Sequence, residues 1–431
     1  MSPGRRAALA AHEASERGRR LDLALAGAAG DLELDARERR FAHELAYGTA
    51  RLRGRIDHLL ARQLHKGLDT LEARVLAVLR LGAYQILYMD VPDYAAVSQS
   101  VDLAPSRASG LVNAVLRALA RDGGEPALFP DRTTDPVGWL ASWGSHPRWL
   151  VERWRARWPL ADVAELVRLN NEQPPVRVLP LGAAADDAVA RLAEAGIGAR
   201  ALPGTDSVEL DAGADPAAAL AALAGAGGAI VQDPAASLVV AYAAPERGML
   251  VADLCAAPGG KALALAARGA RVVAADRSPA RLRLVAENVA RTGLPVALVV
   301  ARAEQPPLRH APLVLLDVPC TGTGTLRRHP DARWRLTPDH PAGLARVQDG
   351  ILDGAAPVVP PGGLLVYSTC TLEPEENHER VDAFLARHPD FHLEPTDAVD
   401  AMHLDQGGLL TVLPWKSGFD GAFAARLRRS A

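Results

Sequence analysis

The stretch Val251–Lys261 (VADLCAAPGGK) constrains this chain more than any other. It opens as a short apolar strand, breaks at Pro258-Gly259-Gly260, and continues into the helical run Lys261–Ala267. A turn without side-chain bulk, opening directly into a helix, presents backbone N–H groups to an anion or carboxylate. The cradle comprises Cys255, Ala256, Ala257, Pro258, Gly259, Gly260 and Lys261. Sixteen residues past Gly260 the apolar run Ala270–Ala275 ends in Asp276, the carboxylate a nucleoside ribose needs. The glycines do not follow G-x-G-x-x-G, so a dinucleotide is disfavoured and another nucleoside-bearing cofactor is expected.

The surrounding sequence supplies the sheet that such a turn requires. From about residue 234, apolar strands at Met249–Leu254, Ala270–Ala275, Val296–Val300, Leu313–Leu316 and Gly363–Tyr367 alternate with helices such as Pro279–Thr292. A final strand falls near Gly421–Leu427. The pattern predicts an α/β fold, a doubly wound, mostly parallel sheet with its ligand at the carboxyl ends of the strands. Upstream the period differs. Ala7–Leu25, Arg37–Leu64, Leu71–Leu87, Ala95–Leu103 and Ser109–Ala120 carry apolar residues three to four apart, which predicts an all-α bundle. Gly123–Asp135 reads as a linker, Ser145–Leu150 starts a further pair of helices, and Asn170–Pro175 ends them. Strands at Val176–Leu179, Ala199–Leu202 and Ser207–Leu210, with helices at Asp187–Ala195 and Ala217–Leu223, predict a small α/β subdomain. The chain therefore divides into a bundle (1–125), a helical and α/β linker (135–233) and a sheet domain (234–431).

At 431 residues and a net charge of −3, nothing global announces nucleic-acid binding, so any basic surface must be local. Between Arg37 and Lys66 eight Lys/Arg face three acids, and Arg51, Arg53 and Arg55 crowd one helical stretch. This is either a solvated helix face or a surface that contacts phosphates. Arg5 and Arg6 precede no apolar segment, and no run reaches about 18 apolar residues. A soluble, cytoplasmic protein without membrane contact is expected. Three cysteines, far apart and without C-x-x-C, exclude a disulfide framework and a structural zinc. His329 has no second ligand at metal spacing, so no metal is expected.

Two of those cysteines follow strand ends. Leu313–Leu316 runs into Asp317-Val318-Pro319-Cys320-Thr321-Gly322-Thr323-Gly324, and Gly363–Tyr367 runs into Ser368-Thr369-Cys370. Both loops should open on the edge that carries Pro258–Lys261, with both thiols facing the cofactor crevice. Two thiols and a carboxylate there suit covalent catalysis, one cysteine as nucleophile and another group moving protons. Cys255, inside the first strand-to-turn junction, reads as structural. Arg327-Arg328-His329-Pro330-Asp331 and Arg333-Trp334-Arg335 form a basic run with one Trp, suited to single-stranded RNA and base stacking. A salt-bridged surface loop is the alternative.

Together Asp253–Lys261, Asp317–Gly324 and Tyr367–Asn377 resemble the S-adenosylmethionine-dependent RNA cytosine-C5 methyltransferases. The resemblance extends over the whole chain. Phe41–Arg51 (FAHELAYGTAR), Leu79–Tyr88 and Ser109–Leu119 look like the RNA-binding domain related to the antitermination factor NusB. That domain precedes the catalytic part in bacterial 16S rRNA methyltransferases of the Sun/Fmu (RsmB) type. Ser145–Leu150 and Asn170–Val178 look like the linker of that type, and Phe419–Phe423 like its last strand motif. Gln232 and Asp233 resemble a family motif, for which a structural role is equally open.

The resemblance implies a Rossmann-like methyltransferase domain that binds S-adenosyl-L-methionine. Cys370 would attack C6 of cytosine, and Cys320 would help remove the C5 proton and release Cys370. Asp317 would hydrogen-bond the base edge or its surroundings at the cofactor site. Lys261 would pair with the methionine carboxylate and Asp276 with the ribose. The family usually places an aspartate for the adenine amino group where this chain has Arg302, which cannot accept a hydrogen bond. The contact must change or move to Glu304. The implied substrate is an unpaired or flipped cytosine of small-subunit rRNA; no oligomer is implied. Alternatives are the same chemistry on tRNA, another rRNA site or DNA, or a non-catalytic RNA-binding factor.

Overall fold

The structure, a computed structural model, describes residues 2–431, the side chain of Ala226 excepted. Two compact units partition the chain. The first takes the residues up to Gln173 together with Leu326–Pro338; the second takes Pro174–Thr325 and Asp339–Ala431.

The first unit begins with helices Pro3–Glu16, Leu21–Asp31, Ala36–Arg51, Arg53–Arg62, Ala73–Tyr88, Asp93–Leu103 and Ser109–Asp122. Their apolar stripes converge on a core that includes Leu21, Leu45, Ile56, Leu59, Leu60 and Leu79. Two runs expected to be continuous are broken. The first divides at Arg17–Arg20, where Gly18 takes φ +91° and no helix can continue. The second divides at Leu52. There the Ser145 hydroxyl donates to Arg51 O (2.8 Å) and accepts the Gly54 N–H (2.9 Å), closing one helix and capping the next. That hydroxyl comes from more than ninety residues away, so local periodicity carries no trace of the break. Helices Pro136–Ser142, Arg148–Arg155 and Leu160–Asn170 complete this stretch.

The second unit holds two sheets. In the small one, β1 (Arg177–Pro180), β2 (Ala199–Ala201), β3 (Val208–Leu210) and β4 (Ala229–Val231) lie in the order β2-β3-β1-β4, all antiparallel. Helices Ala185–Glu194 and Pro216–Ala222 cover it, burying Ala188, Leu192 and Ala219 against Val178, Val208 and Leu210.

The large sheet comprises β5 (Leu250–Asp253), β6 (Arg271–Asp276), β7 (Val296–Val300), β8 (Leu313–Asp317), β9 (Leu364–Thr369), β10 (Phe391–Leu393), β11 (Leu410–Val412) and β12 (Ala422–Arg429). Its order is β10-β12-β9-β8-β5-β6-β7, with β11 also on β12. The strands from β5 to β9 are parallel, while β12 runs antiparallel to its neighbours. From β5 the chain winds outward to β6 and β7, then returns to β8 and β9 on the other side. This reversal opens a crevice at the carboxyl end of β5. The short strands β10 and β11 were not expected. Each has three residues, too few for alternation to register, and each exists by pairing with β12.

Candidate active site

At the end of β5 the chain turns through a cis Ala257–Pro258 peptide and Gly259, at φ +105°, into helix Gly260–Ala267. Only glycine suits position 259. Its φ is left-handed, and a Cβ there would lie 2.9 Å from Val285 Cγ1. The turn is tied to β6 by Asp276, whose carboxylate accepts the Ala257 N–H (3.3 Å) and the Ser278 N–H (2.8 Å). Gln232 packs under Gly260, where a Cβ would come 2.6 Å from its Nε2. Asp233 caps helix Pro234–Ala243, accepts the Asp420 N–H (2.9 Å) and pairs with Arg177 (3.0 Å). Both residues are placed as scaffolding.

The adjacent strands β8 and β9 deliver the thiols. Cys320 Sγ lies 3.4 Å from Cys370 Sγ and accepts the Cys370 N–H at 3.4 Å. Asp317, at the end of β8, is held by Lys261 Nζ (2.8 Å) and the Ser368 hydroxyl (3.1 Å). Lys261, Asp317, Cys320 and Cys370 are thus brought together, as the sequence predicts, although the lysine is engaged by Asp317. The Cys320 loop is pinned by a backbone chain: Gly324 N–H donates to Cys370 O (3.0 Å) and Gly421 N–H to Gly324 O (2.8 Å).

Electrostatics distinguish the groups. The hydrogen bond between the two sulfurs, then burial, then the charges of Cys370 and Glu376, hold the Cys320 thiol well above the usual range. Burial also raises Cys255, reinforced by Asp253, Asp317, Asp276 and Glu304, which leaves it an inert thiol. Burial works against the Lys261 ammonium, but Asp317, then Cys370 and Asp253, outweigh it and raise its pKa.

Some functional groups escaped the sequence reading. Asp253 is fully buried, with neither carboxylate oxygen hydrogen-bonded. Burial pushes it up to about 7, aided by Asp317 and opposed by Lys261 and the facing Cys255 N–H. Behind the thiols lies a buried network of Thr321, Thr323, Gln348, Tyr367, Thr371, Glu373 and Glu376. The polar run after Cys370 was the available signal for the glutamates; Gln348 gave none.

Other candidates are placed elsewhere. Arg302 is exposed, whereas the Glu304 charge reaches Cys255. Within the first unit, Arg51 donates to Arg327 O (3.2 Å), and Arg53 pairs with Glu16 (2.6 Å) and Asp57 (3.6 Å). Arg55 donates to Trp143 O (2.9 Å) and lies 3.8 Å above the Trp143 ring. Arg51, Arg53 and Arg55 therefore knit helices together. The basic run after Thr325 also makes internal contacts. Arg327 bonds Glu172 (3.4 Å) and Gln173 O (3.3 Å), Arg328 is half-buried, and Trp334 donates to Ala50 O (2.7 Å) under Arg53. That indole is partly buried and packs beneath the Arg53 guanidinium. Among the described residues no three His, Cys, Asp or Glu gather to hold a metal ion, and no helix is long and apolar enough to cross a membrane.

Comparison with known proteins matches these features. Residues 240–428 match the family described as 16S rRNA methyltransferase RsmB/F, residues 5–121 the NusB family, and residues 146–217 the ferredoxin-like domain of RsmF/B-like methyltransferases. Ribosomal RNA small subunit methyltransferase B of Pseudomonas putida is 37% identical over 93% of this chain and 92% of its own. The crystal structure of PH0851 superposes with a TM-score of 0.80 at 25% identity, over 100% of this chain and 99% of that one. NSun6 from Pyrococcus horikoshii, solved with SFG, shares the fold over 65% of this chain and 98% of its own, with a TM-score of 0.55 at 20% identity. A glycine turn at the switch point, two touching thiols on neighbouring strands and a match along nearly the whole length together show that this chain belongs to the RsmB/F family of rRNA methyltransferases.

Proposed function

We propose that the chain methylates C5 of a cytosine in 16S rRNA, using S-adenosyl-L-methionine and a covalent bond between Cys370 and C6. The observation that carries this reading is the pair of sulfurs 3.4 Å apart at the ends of adjacent parallel strands, beside the glycine turn. S-adenosylmethionine fits the turn chemically. Asp253, Asp276, Asp317 and Glu304 all act on Cys255; Lys261 pairs with Asp317 and Arg281 lies 3.8 Å from Asp276, while the Asp253 oxygens face only the Cys255 N–H. A sulfonium-bearing ligand supplies the missing positive charge, and the fold neighbour solved with SFG, an analogue of it, supports the assignment. The backbone of Cys255–Lys261 would hold its methionine part and Asp276 its ribose; Glu304, whose charge reaches Cys255, would take the adenine contact in place of the exposed Arg302. When bound, it supplies the methyl group as an electrophile.

Cytosine C5 is a poor nucleophile. Addition of the Cys370 sulfur to C6 pushes the ring electrons onto C5, which then takes the methyl group and carries it beside its own hydrogen. Cys320, once it has given its own proton to solvent, removes that proton as a thiolate. The C5–H pair re-forms the C5–C6 double bond, and the C6–S bond breaks, returning its electrons to Cys370. The charges favour this division of labour. Lys261 lies where the Cys370 charge stabilises it, whereas the Glu376 charge disfavours a Cys320 thiolate. Asp317, fixed by Lys261 and Ser368, would hold the base edge.

The bundle is proposed to contact rRNA, and the divisions 1–125, 135–233 and 234–431 to mark bundle, linker and catalytic domain of a soluble cytoplasmic enzyme. Nucleoside mass spectrometry of rRNA and tRNA incubated with enzyme and labelled cofactor tests the function. 5-Methylcytidine in 16S rRNA is expected; none above a no-enzyme control would end the proposal. Cys320→Ala should accumulate an RNA adduct that survives denaturing gels, and Cys370→Ala should form none. The opposite pattern would exchange the two roles.

A further inference from the structure

Glu376 touches no reacting atom in the chemistry above, yet its environment is costly. It is fully buried in the turn Pro374–Glu376, and its hydrogen-bond partners are a backbone amide, hydroxyls and a carboxamide, none of them charged. Burial raises its pKa, and hydrogen bonds from Thr321, Gln348 and Thr371 oppose the rise; a carboxylate taken out of water without a cation is expensive, and tying two loops together does not require one. Its placement is specific. Oε1 accepts the Thr321 N–H (2.9 Å) and Gln348 Nε2 (3.0 Å), and Oε2 accepts the Thr321 hydroxyl. Gln348 Nε2 also donates to Pro319 O (3.0 Å), so both neighbours of Cys320 are tied to one carboxylate. The Glu376 backbone is in turn fixed to β9, because the Tyr367 hydroxyl donates to Glu376 O (2.6 Å). The clamp thus links the loop of one sulfur to the strand that delivers the other.

We propose that Glu376 is a positioning residue of the methyl-transfer cycle: it clamps Pro319–Thr321 to the Cys370 side and keeps a negative charge beside the Cys320 sulfur. This rests on the assignment of the C5 proton to Cys320. The clamp sets the distance between the sulfurs, and the charge makes Cys320 hold the captured proton more firmly. The groups acting on Cys320 are Cys370 from the β9 loop, Glu376 from its turn and Tyr367 from β9. Burial keeps the Tyr367 hydroxyl protonated, aided by Cys320 and Glu376; the Arg380–Asp349 ion pair (2.5 Å) lies beyond it.

Two variants of the full-length protein separate clamp from charge. Glu376→Gln keeps a carbonyl for Thr321 and Gln348 and an amide for the Thr321 hydroxyl, but loses the charge. Glu376→Asp keeps the charge and slackens the clamp by one methylene. Alkylation of Cys320 by iodoacetamide, resolved by peptide mass spectrometry across pH, reads the charge without RNA or cofactor. Glu376→Gln should lower the Cys320 midpoint by about one pH unit or more. It should also cut kcat roughly tenfold, with RNA adduct accumulating and KM for RNA little changed. Glu376→Asp should restore the midpoint while kcat stays low. A Cys320 midpoint in Glu376→Gln equal to wild type, or an unchanged kcat, overturns the proposal. If Glu376→Gln does not fold, Gln348→Met cuts the tie to Pro319 and one hydrogen bond to Oε1 while leaving the carboxyl group in place. It should lower kcat, and an unchanged kcat removes the clamp. Should wild type form neither adduct nor 5-methylcytidine, the methylation reading fails, while the alkylation comparison still decides the charge.

Discussion

A buried carboxylate with neither oxygen hydrogen-bonded is rare in a folded interior, and Asp253 is such a group. Burial first, then the Asp317 charge, pushes it up to about 7, with Lys261 opposing. An acid raised on folding is protonated in the native state across a window where the unfolded chain is already ionised. The native state binds the extra proton there, so stability falls as pH rises from about 4 to about 7 and the loss is complete above. A raise of about three units corresponds to ~4 kcal/mol. Asp253→Asn, nearly the same shape and always neutral, should therefore gain stability over wild type on going from pH 5 to pH 8. Denaturant melts of ligand-free protein at both values check this; an advantage that does not grow with pH would refute it. The thiols and Asp276 were legible as residues because each ends an apolar strand beside turn-forming neighbours. The state of Asp253 and the partners of Glu376 were not, since both depend on side chains from other strands and on Gln348, 28 residues away.

Between residues and fold, single glycines decide which loops can approach. Gly324 and Gly421 cross so closely that a Cβ on Gly324 would lie 2.7 Å from Gly421 Cα and 2.8 Å from Cys370 O. Every clashing atom is backbone, so nothing can swing aside. Gly324→Ala should cost on the order of 2 kcal/mol by overpacking and displace the Cys320 loop, with a large loss of kcat. Gly293 ends helix Pro279–Thr292 at φ +70° with no atom within 4 Å of a built Cβ. Gly293→Ala should cost only the left-handed strain, about 1 kcal/mol, with kcat unchanged. Denaturant titration beside a methylation assay distinguishes the two; equal kcat losses would show that the close crossing does not position the loop. The sheet was legible at this scale because β5, β6, β8 and β9 are continuous apolar runs. The breaks at Arg17–Arg20 and Leu52 were not, because one rests on a single glycine and the other on the hydroxyl of Ser145.

At the scale of the molecule, the order of the chain and the order of its compact units differ. Leu326–Pro338 lies far along the catalytic half in sequence but is part of the first unit. Arg333 anchors it there, fully buried and donating to Ser145 O (3.0 Å), Asn171 Oδ1 (2.9 Å), Asn170 O (2.9 Å) and Leu326 O (3.2 Å). Burial, then the Arg51 charge, lowers its pKa to about 9, so the guanidinium is held by carbonyl dipoles rather than by a paired acid. Asp331 adds a bond from the Leu21 N–H (3.2 Å), and Trp334 one to Ala50 O. None of this is visible in a sequence that reads as a basic surface run, because every partner lies more than 150 residues upstream except Leu326. Arg333→Met would leave those acceptors buried and unpaired, at a cost on the order of 3–5 kcal/mol. A fragment beginning at Pro174 would strand the whole segment, exposing Leu326 and the Arg333 site without their partners. The fragment Pro174–Ala431 should therefore unfold over a broad range and be cut by protease within 326–338, whereas the full chain melts cooperatively and resists cleavage there. A fragment that melts sharply with 326–338 protected would show that the segment folds without the first unit, and that the front helices are dispensable to the loop that follows Cys320.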